Sequence, residues 1–120
     1  TLAKINYRIY TDAIKGKIIP PELCRSQQKR IYASEADVLN MAMFGKTANE
    51  WREENPELKG NIRDHSTIEQ LLVLANLESM NSEFIRMDMS QSDRLIKLNQ
   101  IAIQQMKSLT QNMHVSKLKE

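Results

Sequence analysis

The side chains able to do chemistry in this 120-residue chain are few and scattered. Gly45-Lys46-Thr47 has the closing residues of a phosphate-binding loop, whose backbone N–H groups cradle phosphate while the Lys and the hydroxyl reach its outer oxygens and a metal. The full loop needs another Gly five positions before the last one, and that position is Asn40. It also needs a strand leading in, where this sequence reads as helix. The triplet therefore reads as a helix C-cap followed by an N-cap. Asp64, His65 and Glu69 could ligate a divalent metal if the helix already included His65, because residues four apart share a helix face. No HExxH spacing or cysteine cluster supports such a centre, and capping at a helix start accounts for all three residues. Cys24 has Arg25 beside it, which would favour a thiolate, but no sequence neighbour marks it as catalytic. Glu53-Glu54 reads as a solvated helix end. Of the two histidines, His114 falls in a polar tail, so no Ser/His/Asp arrangement can be assembled. The expectation is a chain with no catalytic activity, no metal and no cofactor.

The elements that must position these residues are helical. Hydrophobic content is 41% and charge 27%, which argues for a folded domain. Aromatics are 5%, with three Gly and three Pro, so composition favours helix over strand. Leu2, Ile5, Ile9 and Ala13 recur at helical spacing and predict a helix over 2–15, ended by Gly16. Pro20-Pro21 forces an extended segment, followed by a loop with a short helical turn up to Tyr32. Ser34 caps a helix through Val38, Leu39, Met41, Ala42 and Phe44, and Gly45 stops it. Thr47 and Glu50 form a capping box that opens a short helix carrying Trp51 and ending at Asn55-Pro56. Gly60-Asn61 marks a turn. Ser66 to Glu69 reads as a second box, opening the longest helix over 67–87. Its first half, Leu71 to Ala75, is apolar nearly all round, so it should be the central and most buried helix. Ser90 and Ser92 lie where the last helix needs a cap. The strand signal is confined to Lys17–Ile19 and Arg30–Tyr32. The expected fold is all-α, about five helices in a bundle-like domain over 1–111, with a polar tail over 112–120.

Net charge is +2, which is no signature of a nucleic-acid binder. The charge is nevertheless blocked. Lys4, Arg8, Lys15, Lys17, Arg25, Lys29 and Arg30 make the first 32 residues basic against Asp12 and Glu22 alone, and 33–57 is acidic. A solvated helical surface accounts for this, and a nucleic-acid contact along the basic block is the alternative. The helix–Gly–helix stretch from Asp37 to Glu57 has helix-turn-helix spacing, but its second helix carries Glu50, Glu53 and Glu54, the wrong sign for phosphates. A structural corner anchored by Trp51 is the better reading. Leu95, Leu98, Ala102, Met106 and Leu109 follow a heptad-like spacing on the last helix. They are candidate interface residues for self-association or a protein partner, and equally good core positions. The seven methionines fit either role. One cysteine and no apolar run approaching the roughly 20 residues of a membrane span suggest a cytoplasmic protein with no membrane partner. A start at Thr1 rather than Met suggests a piece of a longer protein.

Several segments, in order, carry a resemblance: TLAKINYRIYTDAIK, IPPEL, IYASEADVLNMAMFGKTANEWREENPELKGNIRDHSTIEQLLVLANLES and SDRLIKLNQIAIQQMK. Together they resemble the C-terminal region of phage and bacterial KilA-N domain proteins, with GKTANEWR and GNIRDHSTIEQLLVLANLES the most distinctive. In that family the DNA-binding module lies N-terminal to this region, so none of its DNA contacts can be carried onto residues here. The resemblance implies an accessory domain of a phage-related DNA-binding regulator, reaching DNA through that missing module.

Overall fold

A computed structural model describes residues 19–119, with side chains described through residue 111. The helix expected over 2–15 lies outside the described residues. The elements are α1 (Arg25–Lys29), α2 (Glu35–Phe44), α3 (Ala48–Glu54), a 3-10 turn (Ile62–His65), α4 (Ile68–Arg86) and α5 (Gln91–Lys119). The fold is all-α, and the described residues contain no strand.

Local chemistry sets the boundaries. The Ser34 hydroxyl accepts from the Asp37 N–H at 3.2 Å and opens α2. Gly45 ends it at φ 73°, with its N–H on the Met41 carbonyl. A Cβ here would meet Pro21 Cγ at 2.4 Å, so both the left-handed backbone and the packing demand glycine. Thr47 and Glu50 close the capping box of α3, as their spacing predicts. The second box sits one residue later than expected. Asn61 and Asp64 cap the 3-10 turn reciprocally, and the Ser66 hydroxyl donates to the Ile62 carbonyl. Thr67 then caps α4, closed by Gln70 rather than Glu69. At the far end of α4, Asp88 takes φ 58°, its N–H reaching the Ile85 carbonyl while Met89 N–H reaches Phe84. Ser90 caps α5. That helix continues through residues expected as a polar tail and, at 29 residues, is longer than the 19 of α4.

The layout of the core corrects two expectations. The most enclosed stretch lies in α2, not in the helix over 67–87: Val38 to Met43 are six consecutive buried residues, and it is α5 that packs on α1, α2 and α4 alike. α2 packs on α5 and on α4. Over those six residues it is enclosed on every side, while Glu35 and Ala36 at its start stay exposed. α4 buries a single stripe instead (Gln70, Val73, Leu74, Leu77, Asn81, Phe84) against α5 and α2. The second correction concerns the candidate interface. Leu95, Leu98, Ala102 and Met106 have no exposed surface, and Leu109 packs partly buried against the same cluster. The first four are the spine of the core and offer a partner no surface. The heptad-like spacing is what a helix needs to fill the space between two neighbours as well as to pair with a copy.

Polar side chains join the layers. Arg94, buried on α5, donates to both carboxylate oxygens of Glu35 on α2, to Asn81 Oδ1 on α4 and to the Met89 carbonyl. Asn99 on α5 donates to the Pro21 and Ala42 carbonyls at 2.9 Å each and accepts from the Leu23 N–H. Gln91 pairs with both the N–H and the carbonyl of Tyr32. That side chain supplies the partners a neighbouring strand would have given the extended residues at 30–32.

Candidate interaction surface

None of the sequence-level chemical constellations is assembled. Lys46 pairs with Glu54 at 2.5 Å, and Thr47 is committed to its cap. His65 Nε2 lies 2.7 Å from the Lys59 carbonyl, and its ring stacks on Trp51 with centroids 5.3 Å apart. Asp64 is held by the Asn61 N–H. Among the described residues no group of three or more His, Cys, Asp or Glu is placed to hold a metal ion. Cys24 is exposed, and its hydrogen bond with the Ser26 hydroxyl lowers its thiol below the ordinary value. Trp51 is buried, with the Arg52 guanidinium over its ring and the 3-10 turn of Ile62 packed beside α3. This is the helical corner expected of it, and the outward side of α3 is acidic, with Glu53 and Glu54 exposed.

The basic candidates divide. Lys4, Arg8, Lys15 and Lys17 lie outside the described residues. Arg25, Lys29 and Arg30 are exposed on and just after α1, next to an exposed Ile31. Arg30 is partly committed, lying 3.4 Å from Glu50 and over the Tyr32 ring. Glu50 is held below the ordinary carboxylate value chiefly by the Thr47 backbone N–H. The Tyr32 hydroxyl is pushed up by burial and donates to the Gln27 carbonyl.

The surface that stands out was read as core in the sequence. On the first half of α4, Ile68 is 81% exposed, Leu72 53% and Leu71 39%, and Ala75 beside them is also exposed. Spacings of three, four and seven place these residues on one outward strip of the helix. Scattered exposed apolar residues are ordinary, whereas here four adjoin on one helix face. The signal was in the sequence: α4 is apolar on two faces, and among the described residues only one of them is packed against other elements. Among the described residues, no helix is long and apolar enough to cross a membrane. A scan against protein-family models returns no match for this chain, and neither do searches of curated proteins and of solved structures.

Proposed function

We propose that this chain is a non-catalytic interaction domain that self-associates in the service of a separate DNA-binding module of KilA-N type. The observation that carries the reading is the outward apolar strip of α4. It is uncharged and small-to-medium in size, which suits a protein surface better than a phosphate backbone or a polar small molecule. The segment order described above supplies the DNA-binding context. Linking two such modules through this domain would raise the effective concentration of the second on DNA without any new DNA contact. Sedimentation velocity of the purified chain over a hundredfold concentration range tests the reading. A weight-average mass that climbs towards twice the chain mass is expected. A single monomer mass throughout would remove self-association from the proposal.

A second reading rests on the exposed cluster of Arg25, Lys29 and Arg30 beside Ile31. Direct contact with nucleic acid there would show as binding to a labelled random duplex that weakens steeply with salt, because each neutralised phosphate releases counterions. Anisotropy titrations at low and moderate salt distinguish the two readings, since self-association through an uncharged strip needs no duplex.

A further inference from the structure

We infer that the outward strip of α4 is covered by the same strip of a second copy of this chain, packed antiparallel about a two-fold axis at Leu72. This rests on the self-association reading above and specifies its surface and register. A two-fold interface needs one patch complementary to itself. The strip meets that condition in size and in charge.

In size, Ile68 and Ala75 lie nearly equidistant from Leu72 in opposite directions along one helix face. Antiparallel packing on Leu72 sets each Leu72 against its counterpart and each Ile68 against the small 75–76 stretch of the second copy. Large opposes small at both ends, and the helices stay evenly spaced. A parallel pair would set Ile68 on Ile68 and Ala75 on Ala75, splaying one end and leaving a gap at the other. In charge, the outward positions 68, 72, 75 and 79 are Ile, Leu, Ala and Ser, an uncharged run of about 16 Å at helical rise. The nearest acids, Glu69 and Glu78, fall on opposite flanks, and Glu78 is held by Arg63 at 3.0 Å. The antiparallel register brings Glu69 beside Asn76 of the second copy and not beside another acid. A strip on one helix is smaller than the ~800 Å² per partner of a standard interface, so the association is of the weak, concentration-dependent class.

The register makes the test specific. In a Cys24→Ser background of this 120-residue chain, which removes its one thiol, Leu72→Cys should form a disulfide-linked dimer under mild oxidation. Ser79→Cys, equally outward but displaced from the axis, should form one at least about ten-fold more slowly. Leu72→Glu should weaken dimerisation by about ten-fold or more with an unchanged circular dichroism spectrum and melting temperature. Equal cross-linking at 72 and 79 would overturn the register. A dimer that survives Leu72→Glu would overturn the surface while leaving self-association standing. A chain that is monomeric at every concentration would remove both.

Discussion

Arg94 is the residue on which most of the polar order of the core depends. Its guanidinium is buried, while the Glu35 carboxylate it holds is 45% exposed at the side chain. The Arg94 hydrogen bonds, with help from Asn81, hold Glu35 below the ordinary carboxylate value against a smaller opposing effect of burial. A carboxylate whose folded value is depressed contributes stability that is complete above its unfolded value, near 4.5. The contribution is lost as pH falls through the lower folded value. Glu35→Gln is therefore expected to cost about 1–2 kcal/mol at neutral pH, discounted for the exposure of the carboxylate. The gap between variant and parent should close as the solution is acidified below that unfolded value. Urea denaturation at a series of pH values measures both quantities, and a gap that stays constant into acid would show that the charge on Glu35 contributes nothing. At the end of α4, Asp88 occupies the left-handed region that glycine enters without steric cost. Asp88→Gly should stabilise the fold by about 0.5–1 kcal/mol, read as a rise in urea midpoint at unchanged slope.

At the scale of the elements, α4 and α5 exchange the roles their sequences suggest. The strongly apolar start of α4 leaves Ile68, Leu71 and Leu72 in solvent, whereas the more polar α5 buries every residue of its heptad-like stripe from Leu95 to Met106. The contrast gives a paired expectation. Leu98→Ala should cost about 2–5 kcal/mol, since the space left by a fully enclosed leucine cannot collapse completely. Leu72→Ala should stay within about 0.5 kcal/mol of the parent when measured at a concentration where the chain is monomeric. Thermal or urea melts of the two variants check it, and similar losses would mean that α4 is covered within the monomer. The capping boxes explain the small shifts in boundary. Thr47–Glu50 stands where its spacing puts it, but Asn61 captures Asp64 first, so Ser66 closes the 3-10 turn and Thr67 inherits the start of α4.

For the whole molecule, the 76-residue separation between Leu23 and Asn99 matters most. Asn99 fastens the chain entering at Pro21 and Leu23 to α5 and to the end of α2. Gln91 and Ser92 repeat that stitch at Tyr32 and Gln28. Asn99→Ala would leave the buried Ala42 carbonyl and Leu23 N–H, and the partly buried Pro21 carbonyl, short of a partner. A loss of about 2–4 kcal/mol is expected from those unsatisfied groups. Amide exchange at Leu23 should accelerate selectively relative to amides within α4, because the opening is local to the tethered segment. Uniform acceleration across the molecule would show that Asn99 contributes only to global stability.

Much of this was legible one residue at a time. Ser34, Gly45, Thr47 and Gly60 act through their own backbone neighbours, and glycines and short polar side chains do the same thing wherever they stand. The all-α class followed from composition and 3.6-residue periodicity, which are likewise local. The Arg94–Glu35–Asn81 network and the Asn99 and Gln91 stitches were not legible, because an amide or guanidinium at a helical position gives no sign of which distant group it will meet. Nor could periodicity decide between core and surface. Leu98 and Leu72 are the same residue type on apolar helix faces, and a face is buried only if another element lies against it. By itself the sequence determined that apolar stripes exist and where α2 and α3 begin and end. Only the mutual packing of α2, α4 and α5 decided which stripe became the core and which was left outward on α4.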